Sequence, residues 1–231
     1  MVNIIYTSLD DNSEYTISNA NITIIQDASS SSNGTDTLLD ILPIEPFNIK
    51  YLIIDGNIKI DDNYTFYWYT NLEGIEFINN YEPNFEIPDN AFNYEPFIGY
   101  NIPIKFKKII LPNTTIRIGK YAFYESLLES INSPTSLQII DDYAFFKCYS
   151  LTSFTVPPNV SYIGAYSFEN MNLANIYFTN SLRNNIIIHD YMFNNKRPLT
   201  IHFEDITYEQ YLNLNPTENN ISKYIHYVIT K

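Results

Sequence analysis

The chain has almost no cysteine, little basic charge and no long apolar run, and each shortage removes a class of protein. Cys148 is the single cysteine among 231 residues, so an intramolecular disulfide is impossible and a stapled extracellular mini-domain is excluded. Lys and Arg number 13 against 26 Asp and Glu, for a net charge of -13 and a pI near 4.5. That balance opposes nucleic-acid binding and anionic membrane surfaces, which depend on clustered basic side chains; basic partners and cations stay open. No apolar run approaches the ~20 residues that a bilayer-spanning helix requires, so no membrane insertion is expected. Met1 to Asn12 lack a basic stretch leading into a long apolar one. No export signal is expected there, and together with the lone cysteine this favours an intracellular location.

Catalytic chemistry is equally short of parts. His189, His202 and His226 are scattered, and neither a glycine-rich phosphate loop nor a His-Glu-x-x-His pair occurs. A nucleophile needs a base and an orienting group beside it, and no spacing brings them together. No catalytic residue, cofactor or metal is expected.

What the chain does have is aromatic and apolar mass, at 16% and 45%, and that mass is periodic. Ile-Asp-Asp-Asn-Tyr-Thr-Phe (Ile60 to Phe66) returns as Ile-Asp-Asp-Tyr-Ala-Phe (Ile140 to Phe145). Ile-Gly-Lys-Tyr-Ala-Phe (Ile118 to Phe123) returns as Ile-Gly-Ala-Tyr-Ser-Phe (Ile163 to Phe168). A small residue followed by Phe anchors each copy, giving Phe66, Phe92, Phe123, Phe145, Phe168 and Phe193, separated by 22 to 26 residues except for one step of 31. After the anchors come Leu72, Ile75 and Phe77; Leu151, Phe154 and Val156; Leu173, Ile176 and Phe178; Leu199, Ile201 and Phe203. Residues two apart share a strand face, so these point inward while their neighbours point out. Pro112, Pro134 and Pro157 then turn the chain, since proline cannot donate to a ladder. A second apolar position before the anchor, at Ile87, Ile118, Ile140, Ile163 and Ile188, completes the coil.

This pattern resembles the BspA-type leucine-rich repeat, with its Ile-Gly-x-x-Ala-Phe segment, Cys three after the Phe, and Leu-x-x-Ile-x-Ile-Pro. Phe145, Cys148 and Leu151 carry it, and three coils from Ile118 to Phe178 match closely within a span from about Leu52 to Phe203. Met192 departs from the small residue expected before Phe193. The expected fold is a mainly β repeat solenoid, a right-handed stack of about six coils over 51–204, with an insertion near 93–108. One coil buries too little apolar surface to offset its ordering entropy, so coils must stack and both ends need caps. A β-rich cap is expected over 1–50, as strands Asn3 to Leu9 and Tyr15 to Ile25 around Asp10-Asp11-Asn12, then a Ser-rich loop, Ala28 to Thr35. A small α/β cap is expected over 205–231: a short helix at Tyr208, Tyr211 and Leu212, a helix start at Asn215, and a closing strand from Tyr224 to Thr230.

Stacking turns each repeat position into a column. Tyr64, Tyr121, Tyr143, Tyr166 and Tyr191 sit two before their anchors and are expected to form a self-stabilising column on the convex side, or else a binding surface. Glu76, Asn132, Thr155, Tyr177 and His202 lie between the inward strand residues and form an outward column, the face on which the resemblance places partners. Lys105, Lys107 and Lys108, with Arg117 and Lys120 behind them, are the one basic cluster and a second candidate contact, or else compensate the Asp-rich turns. Those turns, at Asp61, Asp62, Asp89, Asp141, Asp142 and Asp190, lack a converging oxygen set for calcium. Cys148 reads as a buried small hydrophobe. Two functions follow. One is a non-catalytic protein-interaction or adhesion module with a protein partner, or a glycan, for which the resemblance implies a cell-surface location. The other is an intracellular scaffold component of a larger assembly, cytoskeletal or capsid-like.

Overall fold

Strands of two alternating faces are joined by the anchor turns in the computed structural model, which describes residues 2–20, 24–25, 42–60, 66, 69–93, 105–169, 172–179, 187–188, 191–193, 199–204 and 225–230. The chain begins with an antiparallel hairpin, β1 (Val2–Ser8) and β2 (Glu14–Ala20). Its turn is fixed by Ser8 Oγ and Asp11 Oδ1, which accept the Asp10 and Ser13 N–H groups at 3.2 and 2.9 Å. β3 (Ile24–Ile25) is a separate short strand, not the end of the hairpin as the sequence pattern predicts. After a one-turn 3-10 segment at Pro46–Asn48 comes β4 (Ile49–Asp55), whose edge pairs antiparallel with β1.

From there each coil contributes one strand to a first ladder and one to a second. The order is β5 (Lys59–Ile60), β6 (Gly74–Ile78), β7 (Phe85–Ile87), β8 (Lys108–Ile110), β9 (Thr115–Ile118), β10 (Ser130–Ile131), β11 (Ile139–Ile140), β12 (Ser153–Val156), β13 (Tyr162–Ile163), β14 (Asn175–Phe178), β15 (Ile187–Ile188) and β16 (Leu199–Glu204), closed by β17 (Ile225–Thr230). Pairing from coil to coil is parallel, as a solenoid demands. The fold is a β-solenoid of about 5 turns, in agreement with the sequence pattern. The second ladder is a five-stranded sheet, in the order β15, β13, β11, β9, β7, with β5 paired parallel to β3 in a separate two-stranded sheet. The first is two: β10, β8, β6, β4, β1, β2 and, separately, β12, β14, β16, β17.

Phenylalanines fill the centre. Phe66 stacks on Phe92 at 4.6 Å, Phe92 on Phe123 at 5.2 Å, Phe123 on Phe145 and Phe145 on Phe168 at 5.3 Å. Phe193 extends the spine at 6.1 Å with its ring tilted by 38°, beside the bulkier Met192. All six anchors are buried. The small residue before each anchor brings the backbones together, so the N–H of Phe92, Phe123 and Phe145 donates to the carbonyl of Ala122, Ala144 and Ser167 in the next coil. Carbonyls of Pro112, Pro134 and Pro157 each close a turn, accepting from Thr115, Leu137 and Val160. Gly119 and Gly164 permit a close approach: a Cβ on either would strike the backbone of Asp89 or Asp142 in the preceding coil.

The insertion ends earlier than the sequence period suggests. Phe106, inside the expected 93–108 loop, is fully buried against Phe92 and Phe123, in the slot that Leu72 and Leu151 fill in other coils. Lys107 and Lys108 therefore belong to the rung and not to a loop: the Lys108 N–H donates to Glu73 O, and the Lys107 carbonyl accepts from Glu129. The bulky aromatic in a Leu slot hid the register. At the other end β17 pairs with β16 in parallel register over six residues, as one more rung. The expected Ser-rich loop, the helix at Tyr208, Tyr211 and Leu212, and the signal at Asn215 lie outside the described residues.

Candidate functional site

Alternation in the first ladder sends every second side chain outward, and parallel register stacks those side chains into rows about 4.8 Å apart. The outward row predicted as Glu76, Asn132, Thr155, Tyr177 and His202 is present but interrupted and incomplete. Glu76 lies between Ile53 and Ile110, and Ile53 is opposite Ile5 of the hairpin. The repeat period does not point to these isoleucines, because Ile110 follows the insertion and Ile5 belongs to the N-terminal hairpin. Thr155, Tyr177 and His202 are in register with one another. The Tyr177 and His202 rings stack at 4.3 Å, and His202 Nε2 is 2.9 Å from Asn175 Oδ1.

Asn132 is the seam between the two groups. Its amide is turned onto Leu111, where Oδ1 accepts the backbone N–H at 2.7 Å and Nδ2 donates to the carbonyl at 2.8 Å. A side chain thus replaces the ladder bonds that the backbone makes elsewhere. The next inward slot holds Ser133 in place of an apolar residue, and its Oγ donates to Thr155 O at 2.6 Å. Pro134 follows with no N–H to give. The sheet divides between β10, which ends at Ile131, and β12, where Ser133 makes a side-chain bond to Thr155 O, while Asn132 braces the last rung onto Leu111 as a structural residue beside that division.

On the hairpin side of the seam the outward face is apolar with an acidic rim. Ile5, Ile53, Ile78 and Ile110 are partly exposed, and Tyr51 is 41% exposed. Tyr51, Gly74 and Lys108 are neighbours in one row, and since Gly74 has no side chain the Tyr51 ring packs over its buried backbone, beside a depression of about 220 Å³. A Cβ on Gly74 would come within 3.2 Å of the Tyr51 ring. Tyr51 lines the depression and donates from its hydroxyl to Glu73 Oε2 at 3.1 Å. Partial burial, followed by that bond and the charge of Glu73, raises the Tyr51 phenol above the usual tyrosine value.

The predicted tyrosine column exists for Tyr121, Tyr143, Tyr166 and Tyr191, with ring separations of 4.9, 5.1 and 5.5 Å; Tyr64 lies outside the described residues. All four have positive φ, between 56 and 64°. For a bulky residue this costs about 1–2 kcal/mol, offset by stacking worth about 0.5–1.5 kcal/mol per pair. Tyr121, Tyr143 and Tyr166 are each the third residue of a turn such as Gly119 to Ala122, in the place that Asn90 fills in the coil before. The column is therefore part of the turn that builds the coil.

Most of the basic cluster is consumed internally. Burial would lower the Arg117 pKa, but its bonds to Asp89 and Asp141, at 2.5 and 2.7 Å, outweigh this and raise it. Lys120 pairs with Asp142 at 3.8 Å and Lys107 with Glu129 at 3.6 Å. Lys105 and Lys108 make no ion pair among the described residues, but Lys108 stands on the rung beside Gly74, so the three lysines are not one loop surface. Asp89 and Asp142 also accept from the backbone of the following coil, at Lys120 and Ala165, which gives the Asp turns a structural role.

Cys148 is fully buried, donates to Phe123 O at 3.0 Å and has its thiol pushed up to about 12 by burial, so it is a protonated core group at neutral pH. Among the described residues no three His, Cys, Asp or Glu side chains converge as a metal site, and His189 lies outside them.

A family model for the BspA type leucine-rich repeat region matches six copies, over residues 44–109 and 103–200. A search of curated proteins finds no match. The matched copies coincide with the coils whose phenylalanines stack, from Phe66 to Phe193. The chain belongs to the BspA type leucine-rich repeat family.

Proposed function

We propose that this chain is a non-catalytic protein-interaction or adhesion module that engages a protein partner through the outward face of its first ladder. Repeat proteins of this family commonly serve in interaction or adhesion and are generally non-catalytic. The observation that supports the reading is the register of that face: strands hold Ile53, Glu76 and Ile110, and beyond the seam Thr155, Tyr177 and His202, in fixed rows over a sealed aromatic core. Rows on rigid rungs lose little entropy on docking, which favours recognition of a surface. The second ladder is less suited, because its outward Arg117 is bound to Glu86, Asp89 and Asp141.

Site-specific photo-crosslinking in the native cells tests this. A crosslinker at Ile110 or Tyr177 is expected to trap a discrete partner, and one at Ile139 on the second ladder is expected to trap none. Equal labelling from both ladders, or none from the first, overturns the reading. Protease shaving of intact cells then decides whether the partner is met outside the cell or within it.

A further inference from the structure

We infer that the apolar half of the first-ladder face docks a basic protein segment with an aliphatic or aromatic anchor, one anchor side chain packing into the depression beside Tyr51, whose ring covers Gly74. The inference rests on the interaction reading and names the chemistry of the partner. Strand faces turned to water are ordinarily polar, as Ser153, Thr155, Asn175 and Thr200 are beyond the seam. Ile5, Ile53 and Ile110 instead share one outward row with Glu76, and Ile78 lies diagonally beside it. Contiguous apolar surface rimmed by polar groups marks an interaction site.

Charge and size narrow the occupant. Glu14 and Glu76 line the depression with Lys108, and Glu73 and Lys50 flank the Tyr51 ring, in a chain of net charge -13. Glu14 and Glu76 make no ion pair among the described residues, so a second copy of this acidic chain meets like charge and a basic segment does not. The depression of about 220 Å³ falls below the range of small-molecule pockets, roughly 300–1,000 Å³, and suits a single inserted side chain. Tyr51, braced by Glu73 with Lys50 Nζ 5.9 Å from its ring centroid, offers the flat wall against which such a side chain packs.

Fluorescence anisotropy with three labelled peptides of equal length tests the chemistry: one of Leu and Lys, one of Leu and Glu, one of Ser and Lys. The Leu/Lys probe is expected to bind at least about tenfold tighter than either other, and Ile53→Thr, Ile110→Thr and Gly74→Val are each expected to weaken it by about fivefold to tenfold. Glu76→Lys is expected to weaken it further and to reduce its salt dependence. Circular dichroism checks that every variant keeps its strands. Comparable binding of all three probes, no binding, or indifference to the four variants overturns the inference. So does sedimentation showing a dimer that Ile53→Lys dissociates, because a second copy then covers the face. The native crosslinked partner separates the two levels. Capture lost with Tyr177→Thr but kept with Ile53→Thr sinks this inference and leaves the interaction reading standing, whereas capture unaffected by either sinks both.

Discussion

The two halves of the first ladder are alike inside and opposite outside. Inward, Leu52 and Ile54, Ile75 and Phe77, Ile109 and Leu111 on one side of the seam match Phe154 and Val156, Ile176 and Phe178, Ile201 and Phe203 on the other, all buried. Outward, isoleucines around a carboxylate face neutral hydroxyl, amide and ring groups. Inward slots are constrained by volume, because cores are packed to crystal density, while outward slots are bound only by strand propensity. Divergence outside with sameness inside is therefore what separate contacts for the two faces would produce.

The largest effect comes from breaking the inner sameness. Phe145→Ala is expected to cost about 3–5 kcal/mol in urea unfolding, and Phe92→Ala and Phe168→Ala about as much, since each removes one ring from the same stack. A cost confined to one half would show that the coils do not share a continuous core. Next is the seam. Asn132→Ala strands the Leu111 N–H and carbonyl and is expected to cost about 1–3 kcal/mol, with faster hydrogen exchange at the Leu111 amide.

Smaller effects sharpen the contrast outside. Tyr143→Ala is expected to cost about 1 kcal/mol by losing stacking on Tyr121 and Tyr166, while Tyr143→Gly recovers part of that by suiting the positive φ of 58°. Ile53→Thr and Tyr177→Thr are each expected to change stability by less than about 0.5 kcal/mol, so any effect they have on binding is read on a folded protein. The slightest effect is alkaline. Partial burial raises the phenols of Tyr51, Tyr143 and Tyr162 above their usual value, so their protonated forms are favoured in the folded state. Their contribution is full below pH ~10 and is lost as pH rises through the folded values. A small fall in Tm above pH ~10, reduced in Tyr143→Phe, checks the sign.

Much of the fold was legible. Spacing alone located Phe66 to Phe193, the inward pairs of four coils and the proline turns, because burial selects residue type and strand geometry selects period. The candidate face was half legible. Thr155, Tyr177 and His202 follow from counting within regular coils, but Ile110 and the place of Lys108 required recognising Phe106 as a Leu-slot residue. Asn132 looked like any outward polar residue, and nothing in its spacing shows that its amide turns back onto Leu111. Gly74 is equally silent, since only the register shows that the Tyr51 ring of the neighbouring rung lies over it.

By itself the sequence determined what repeats: a coil length, a buried phenylalanine in each coil, and parallel stacking, since a periodic apolar pattern has few ways to leave water. Tertiary structure alone decided what does not repeat. The split of the first ladder at Asn132, the internal neutralisation of Arg117 and the apolar face around Gly74 all arise between residues about one coil apart or more. Register sets such neighbours, and register is a property of the assembled stack.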